Sequence, residues 1–200
     1  MQEIILASSS PYRRAQLEGL GMRFTCVAPA VDEQALAHET ARALVERLAI
    51  VKASAVAARL RHGLVIGSDQ IALVDAQVLG KPGNHERATA QLRRCSAREV
   101  VYLSSVAVIN AHTQRVQIDV ARTTVGFRKL SDDTIERYLR ADAPYQCAGS
   151  IKAESLACTL MRYQRSDDPS AIIGLPLIML LRMLRAENFD LLTTVHPDRE

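Results

Sequence analysis

Aromatic side chains and paired cysteines are scarce in this sequence. Among its 200 residues the aromatic share is 4%, and Trp is absent. The hydrophobic core must therefore consist mainly of Ala, Val, Leu and Ile, a composition that suits helices packed on a sheet. The four cysteines are scattered without a Cys-x-x-Cys pair, so neither a zinc ribbon nor a thioredoxin-like motif is supported. We expect reduced, mostly buried thiols in a cytosolic protein.

Long apolar runs and blocks of like charge are missing as well. The longest apolar stretch, near Ala171–Leu181, is interrupted by Gly174 and Pro176 and is too short to span a bilayer. The opening MQEIILASSS has no basic region of the kind that begins a secretory signal. The sequence therefore predicts a cytoplasmic protein without a membrane partner. The net charge is only +3 and no basic stripe is visible, so no nucleic-acid partner is expected.

Hydrophobic periodicity and turn residues predict a mixed α/β fold. One domain is expected over 1–192, with a frayed polar tail at 193–200. The predicted helices are Pro11–Leu20 after an N-cap at Ser10, Thr40–Leu60, Asn84 or His85 to Cys95, a helix from the Ser131 cap to Ala141, and Ile178–Glu187. The predicted strands are Glu3–Ala7, Met22–Val27, Leu64–Ile66 resuming at Ile71–Val74, an antiparallel hairpin of Glu99–Asn110 and Arg115–Phe127, and Ser155–Tyr163.

Residues 8–14 place polar and basic groups where the first strand meets the first helix. The segment reads Ser-Ser-Ser-Pro-Tyr-Arg-Arg. Hydroxyls and backbone N–H groups at a helix N-terminus favour phosphate, and two arginines in the first turn add donors that match its charge. The alternative is a capped helix whose arginines are simply solvated.

Two further segments follow apolar strands. Val65–Gln70 presents Asp69 beside a glycine, which is typical either of a metal-binding carboxylate or general base, or of ordinary turn chemistry. Residues 80–82, Gly-Lys-Pro, superficially resemble a P-loop, but that motif needs Gly where Asp75 stands and Ser or Thr where Pro82 stands. A Walker-type ATPase or kinase is therefore excluded. No Gly-x-Gly-x-x-Gly follows a strand, so a dinucleotide site is unsupported.

Taken together, the polar segments become more specific. Their order along the chain is S-x-S-P-x-R-R, V-D-E at Val31–Glu33, G-S-D-Q, G-K-P, A-G-S-x-x-x-E and I-x-G-L-P-L. In this order they resemble the Maf family of nucleotide pyrophosphatases over nearly the whole chain. Tyr12, Gln70 and Glu154 are most similar to the subfamily that hydrolyses 7-methyl-GTP. The branch that acts on dTTP and UTP tends to have Arg, Thr and Gln at the equivalent positions.

The chain also departs from the family pattern. Family members often carry glycine where this chain has Ala97, Ser155 and Ala157. A glycine lost near a pocket changes how closely the backbone can approach a ligand. The resemblance therefore leaves the fine specificity open.

The resemblance implies hydrolysis of the bond between the α- and β-phosphates, giving a nucleoside monophosphate and pyrophosphate with Mg²⁺ or Mn²⁺. Asp69 is then the expected proton acceptor and Glu33 the second carboxylate, and both are expected to contact the metal. The expected phosphate-binding residues are Ser8, Arg13, Lys52 and Lys81. Lys81 is also expected to take part in catalysis. For Glu33 and Lys52 the alternative is an ordinary solvated surface charge.

Three residues are expected to recognise the base. A guanine methylated at N7 is positively charged, so the ring of Tyr12 can hold it by stacking and cation–π attraction. The carboxylate of Glu154 can accept from the guanine N1–H and the exocyclic amine together, and Gln70 can add an amide contact. The alternatives are a packing role for Tyr12, a surface position for Glu154, and a different nucleotide as substrate.

The resemblance also implies an elongated α/β fold, with a mixed sheet, flanking helices and two lobes around a cleft, similar to inosine-triphosphate pyrophosphatases. Homodimers are frequent in such families. Two other classes are weighed: a nucleotide-binding regulator of cell division without turnover, and an RNA-binding module. The intact Asp69, Lys81 and Glu33 argue against the first. The second lacks an RNP-type aromatic strand and a G-x-x-G clamp.

Overall fold

The computed structural model describes residues 2–193. Within them the α-helices are α1 (Pro11–Gly19), α2 (Ala41–Ala57), α3 (His85–Cys95), α4 (Asp132–Asp142) and α5 (Leu177–Ala186). One sheet contains β1 (Ile4–Leu6), β2 (Thr25–Cys26), β3 (Leu64–Val74), β4 (Gln77–Leu79), β5 (Glu99–Asn110), β6 (Val116–Phe127) and β7 (Met161–Ser166). Short 3-10 turns occupy Ala148–Ser150, Leu156–Leu160, Pro169–Ile173 and Leu191–Thr193. The predicted mixed α/β class is confirmed.

Polar side chains cap the first four helices. In each, a side-chain oxygen accepts from the backbone N–H three residues further on, which satisfies one of the donors that a helix leaves free at its start. The capping residues are Ser10, Thr40, Asn84 and Ser131. Helix α5 differs, because its N-cap position is Pro176, which makes no side-chain cap.

The sheet has the strand order β2-β1-β3-β5-β6-β7, and β4 also pairs with β3. β1 is parallel to β2 and β3, whereas the other pairs are antiparallel. On one edge of β3, β5 pairs continuously with residues 64–73. On the other edge, β1 pairs with residues 64–66 and β4 with residues 72–74. Residues 67–71 therefore have no strand neighbour on that edge within the described chain.

Side chains of β3 alternate between two faces with different covers. On one face, Val65 and Ile71 pack against α2. On the other face, Ile66 joins an apolar cluster with α5, and Ala72 joins a second cluster with α3 and α4. The polar run Ser68–Gln70 lies between the strand positions that contribute to these two clusters. The expected division into two lobes stays a prediction.

The predicted break in the third strand is wrong. β3 runs without interruption from Leu64 to Val74, so Asp69 lies inside a strand and not at its end. The polar residues stay in the strand because their buried groups find partners. The hydroxyl of Ser68 donates to Gly174 O (2.8 Å), and the backbone N–H of Asp69 donates to Ser105 Oγ (3.1 Å).

The predicted strand at Ser155–Tyr163 is wrong in its first half. Residues Leu156–Leu160 form a 3-10 turn, and β7 begins at Met161. The carboxylate of Asp142 accepts from Ser155 Oγ (2.7 Å) and from the backbone N–H of Leu156 (3.3 Å). These bonds hold the chain in a turn before it can extend.

The remaining differences are at the edges of the sheet. β2 is shorter than the predicted Met22–Val27, because the Met22 N–H still donates to Leu17 O (3.3 Å) at the end of α1. β4 was not predicted; it follows a two-residue turn at Asp75 and Ala76, both with positive φ (49° and 61°). Of the predicted tail, 193–200, only Thr193 lies within the described residues. Between residues 2 and 193, the helices are too short or too polar to cross a membrane.

Candidate active site

A cleft of about 590 Å³ opens at the stretch of β3 that lacks a strand neighbour. It is lined by the β1–α1 turn, α2, the middle of β3, the loop after β4, and residues 146–154 and 172–174. All nine residues selected from the sequence contribute to this lining. They are Ser8, Tyr12, Arg13, Glu33, Lys52, Asp69, Gln70, Lys81 and Glu154. Distant segments thus meet in one site, and the role of each residue stays a prediction.

Helix α2 lies very close to β3 at Gly67. A Cβ at this position would lie 2.1 Å from the carbonyl oxygen of Ala49 and 2.9 Å from the backbone nitrogen of Ala53. Any side chain larger than hydrogen would therefore push the helix away from the sheet. The close approach brings Lys52 of α2 next to Asp69, which lies on the same face of the strand as Gly67.

Lys52 is the centre of a small charge cluster. Its Nζ lies 2.7 Å from Oδ1 of Asp69 and 2.9 Å from Oε1 of Glu33. The side chains of Lys52 and Asp69 are only 6% and 10% exposed, whereas that of Glu33 is 57% exposed. Within the described chain, Oδ2 of Asp69 has no hydrogen-bond partner, although the residue borders the cleft. One carboxylate oxygen therefore holds the lysine while the other is available to a ligand or water.

The turn between β1 and α1 presents Ser8 and Arg13 together. Ser8 is buried, and its Oγ accepts from Ser10 N (3.1 Å) and from Arg13 Nη1 (3.4 Å). Its hydroxyl hydrogen is thereby left for another acceptor. Arg13 Nε donates to Gly174 O (2.8 Å). Burial lowers the pKa of Arg13, while the charges of Asp69 and Glu33 act in the opposite direction.

Gln70 points to the other face of β3, and its amide nitrogen is already engaged. Nε2 donates to the carbonyl oxygens of Ala171 (3.0 Å) and Ile172 (2.9 Å) and lies 2.9 Å from Ser104 Oγ. The hydroxyl of Ser104 in turn donates to Ala171 O (2.7 Å). Gln70 also lines the cleft, and its amide oxygen makes no hydrogen bond within residues 2–193.

Tyr12, Cys147 and Glu154 form a third part of the lining. Burial raises the pKa of Tyr12, and a side-chain hydrogen bond with Cys147 and the negative charge of Glu154 raise it further. The pKa of Cys147 is also raised, mainly by burial. At neutral pH this part of the cleft therefore combines a neutral phenol ring with a nearby exposed carboxylate.

Contacts with β5 and α3 fix the position of the loop 146–154. Gly149 has a positive φ of 67°, and a Cβ there would lie 2.7 Å from the hydroxyl of buried Tyr102. This position therefore needs glycine for both its conformation and its contact. The hydroxyl of Ser150 donates to Gln91 Oε1 (2.6 Å) on α3. These contacts hold the loop in place above the sheet.

Lys81 is the most exposed cation of the cleft. It lies in the loop between β4 and α3 and makes no ion pair within residues 2–193. The loop itself is held by Gln91 Nε2, which donates to Gly80 O (3.1 Å), and by Gly83 N, which donates to Tyr145 O (2.9 Å). Lys81 therefore presents an unpaired charge from an anchored backbone.

Sequence reasoning missed the residues that support the site from behind. Ser105 Oγ donates to Val45 O on α2 (2.6 Å) and accepts from the Asp69 N–H, so it links α2, β3 and β5. Ser104 supports Gln70 in the same way on the other face. The available signal was a pair of serines inside the apolar segment Glu99–Asn110, where both hydroxyls must find partners.

The three departures from the family pattern lie outside the cleft lining. Ala97 has a φ of 59°, a left-handed conformation that glycine adopts without strain. Ser155 and Ala157 belong to the turn held by Asp142. Ser155 nevertheless directly follows Glu154, which lines the cleft.

Comparison with known proteins agrees with the motifs. Residues 3–187 match the family model described as Maf-like protein. A relative from Albidiferax ferrireducens, named 7-methyl-GTP pyrophosphatase, is 48% identical over 191 residues, covering 96% of each chain. One from Burkholderia orbicola with the same name is 49% identical over 199 residues, covering 98% of this chain and 95% of its own.

A likeness to a solved structure concerns the fold alone. The structure of the Staphylococcus aureus Ham1 protein aligns with 93% of this chain and 100% of its own, at a TM-score of 0.51 and 14% identity. The family match and the curated relatives carry the stronger conclusion, and they confirm the predicted resemblance. The chain belongs to the Maf-like protein family.

Proposed function

We propose that this protein hydrolyses a nucleoside triphosphate between the α- and β-phosphates, and that 7-methyl-GTP is its substrate. The relatives that carry this activity in their names align over nearly the full length of both chains. The observation that supports the chemistry is the contact of Lys52 with Asp69 inside a cleft that also contains Arg13. A carboxylate beside cations is what phosphate-anhydride hydrolysis requires.

The triphosphate binds to the basic side of the cleft. Arg13 is oriented by Gly174 O, Lys52 is held beside Asp69, and Lys81 has no competing partner in the described chain. The free hydroxyl hydrogen of Ser8 donates to a phosphate oxygen. These groups are in place before the substrate arrives, so little reorganisation is needed as charge develops on the phosphates.

Asp69 activates the attacking water. Its Oδ1 is engaged by Lys52, which leaves Oδ2 to accept a proton at the border of the cleft. Ser105 holds the backbone of Asp69 in the strand, so the carboxylate has a defined position. A positioned general base of this kind contributes about 100- to 10,000-fold to a rate.

The donor set fits a divalent metal that enters with the nucleotide. No cluster of three or more His, Cys, Asp or Glu between residues 2 and 193 is arranged to hold an ion by itself. Asp69 and Glu33 both contact the ammonium of Lys52, so two hard oxygen donors lie close together. Mg²⁺ is commonly held by one or two carboxylates together with substrate phosphates and water, and Mn²⁺ accepts the same ligands. When bound, the ion neutralises charge on the phosphates.

The base is read by Tyr12, Glu154 and Gln70. The neutral ring of Tyr12 stacks on the cationic 7-methylguanine, and the carboxylate of Glu154 accepts from its N1–H and exocyclic amine. For Gln70, the hydrogen bonds of its side chain indicate which amide atom is available to the base. Since its amide nitrogen is engaged with Ala171 and Ile172, it contacts the substrate as an acceptor through Oε1.

The test is a nucleotide panel with the purified protein. Pyrophosphate and orthophosphate are measured separately for 7-methyl-GTP, GTP, UTP and dTTP, with Mg²⁺, with Mn²⁺ and with EDTA. We expect pyrophosphate and monophosphate, the highest kcat/KM for 7-methyl-GTP, and no turnover in EDTA. A preference for UTP or dTTP would overturn the base assignment alone. Release of orthophosphate, or no turnover of any triphosphate, would overturn the proposed reaction.

A further inference from the structure

Asp168 is a fully buried carboxylate that does not line the cleft. Its Oδ2 accepts from the backbone N–H groups of Ile178 (2.8 Å) and Met179 (3.1 Å), and its Oδ1 accepts from Ser170 Oγ (2.5 Å). It thereby satisfies the first turn of α5, where Pro176 provides no cap. The positive end of the helix dipole also favours an anion at this place.

Ser170 extends the connection. Its Oγ accepts from the Leu177 N–H (2.7 Å) and lies 3.1 Å from Leu175 O. Asp168 and Ser170 together therefore link the start of the segment Pro169–Pro176 to its end. This segment, the strap, is held in one shape by a buried carboxylate and a partly buried hydroxyl, neither of which lines the cleft.

The carbonyl oxygens of the strap orient two cleft residues. Gly174 O accepts from Arg13 Nε, while Ala171 O and Ile172 O accept from Gln70 Nε2. Arg13 lies at the phosphate-binding turn, and Gln70 belongs to the base-recognition set. A single short segment therefore determines the direction of side chains that act on opposite parts of the nucleotide.

Helix α1 is attached to the same segment. Gln16 Nε2 donates to Ser170 O and to Leu175 O, at 3.0 Å each. Arg13 lies one turn earlier on this helix. A displacement of the strap therefore reaches Arg13 by two routes: directly through Gly174 O, and through the position of α1.

We propose that Asp168 is a positioning residue that sets the orientation of Arg13 and Gln70 together, through the strap. The proposal rests on the proposed function, in which Arg13 binds phosphate and Gln70 contacts the base. Removal of the carboxylate leaves buried N–H groups of α5 without acceptors, which costs enough free energy for the strap to rearrange. Its carbonyl groups then move, and the two side chains move with them.

The first test reads the side chains without using activity. The Nε–H signal of Arg13 and the amide signals of Gln70 are followed by NMR, after assignment by their loss in Arg13→Lys and Gln70→Glu. We expect Asp168→Asn and Ser170→Ala to shift both sets and to speed exchange of the Arg13 Nε–H. The control Asp167→Asn, an exposed neighbour, should leave them unchanged. Unmoved Arg13 and Gln70 signals in Asp168→Asn would overturn the proposal, whatever the activity of the wild-type protein.

The second test separates positioning from folding. At a temperature well below its Tm, Asp168→Asn should raise KM for 7-methyl-GTP and narrow its kcat/KM advantage over UTP. The loss in kcat/KM is expected to reach about 10- to 100-fold, because a displacement of about 1 Å is enough for such an effect. Asp168→Ala retains no acceptor, so its kcat/KM should fall further than that of Asp168→Asn.

A purely structural role has a different signature. It would lower the apparent kcat in proportion to the folded fraction, with KM and the selectivity ratio unchanged, and this result would overturn the proposal. Where Asp168→Ala does not fold, Asp168→Asn and Ser170→Ala decide the matter. Absence of pyrophosphate release by the wild-type protein would instead contradict the proposed function, and the NMR result would still test the positioning role.

Discussion

The ammonium of Lys52 lies 2.7 Å from Oδ1 of Asp69, and both side chains are almost fully buried. Glu33 contacts the same ammonium at 2.9 Å but is largely exposed. The two carboxylates therefore have different environments although they share a cation. The Lys52–Asp69 pair belongs to the packed interface between α2 and β3, whereas Glu33 can exchange its contact with water or a ligand.

The buried pair should be measurable as a coupling energy. Lys52→Met and Asp69→Asn, alone and together, are compared by urea unfolding. Lys52→Met leaves the Asp69 carboxylate buried without its cation, and Asp69→Asn leaves the Lys52 ammonium without its buried negative partner. We therefore expect the double variant to lose less stability than the sum of the single variants. Pairs in direct contact typically show coupling of about 0.5–3 kcal/mol.

The matched control for this cycle is Lys129→Met, since Lys129 is an exposed lysine that does not line the cleft. The changes that Lys129→Met and Asp69→Asn cause in the free energy of unfolding should be additive within about 0.5 kcal/mol. If the Lys52 and Asp69 substitutions are also additive within this limit, the two side chains are not paired in solution.

Gly67→Ala should disturb both stability and activity. The added Cβ would lie 2.1 Å from Ala49 O, so α2 must shift and carry Lys52 away from Asp69. Overpacking of this kind costs about 1–3 kcal/mol. The control is Gly19→Ala, where a Cβ would meet nothing within 4 Å. Thermal unfolding and pyrophosphate release are measured for both, and a Gly67→Ala protein with unchanged kcat would contradict the role given to this contact.

The ring of Tyr12 should distinguish methylated from unmethylated guanosine triphosphate. Its pKa is raised by burial, Cys147 and Glu154, so it stays neutral at every pH below the ordinary phenol value of about 10. Tyr12→Phe should therefore keep the preference. Tyr12→Ala should lower kcat/KM for 7-methyl-GTP more than for GTP, by about two- to thirtyfold, since cation–π attraction contributes about 0.5–2 kcal/mol. Equal losses for the two nucleotides, measured as kcat/KM, would rule out stacking on the charged base.

Glu154→Gln should reduce the preference for 7-methyl-GTP over UTP. The amide lacks the second acceptor oxygen that pairs with the guanine N1–H and amine, and it removes the negative charge beside the cationic base. Glu86→Gln is the control, because Glu86 is exposed on α3 and does not line the cleft. The ratio of kcat/KM values is the measurement. An unchanged ratio in Glu154→Gln would show that the base is recognised elsewhere.

Local signals were sufficient for much of the fold. The helix caps at Ser10 and Ser131 and the long hairpin depend on residues close together in the sequence, and all were predicted correctly. Asp69 was misplaced at the end of a strand for the opposite reason. Its position inside β3 depends on Ser105, 36 residues away, and the neighbouring Ser68 depends on Gly174, 106 residues away. No local pattern reports such partners.

Prediction of the site from the sequence succeeded and failed for the same reasons. The residues around the cleft could be predicted from the motifs, because the order of these motifs along the chain resembles that of a known family. Their directions could not be selected in this way. The engagement of the Gln70 amide nitrogen with Ala171 and Ile172 spans about a hundred residues and is visible only in the folded chain. The supporting serines behind Asp69 and Gln70 were missed for the same reason.

Asp69→Asn decides most directly whether the carboxylate of this cleft drives the reaction. The substitution keeps the size of the side chain and an acceptor for Lys52, so the variant should fold and still bind 7-methyl-GTP. Pyrophosphate release, measured beside nucleotide binding, should fall at least about 100-fold. A folded Asp69→Asn protein that releases pyrophosphate at the wild-type rate would contradict the proposed chemistry.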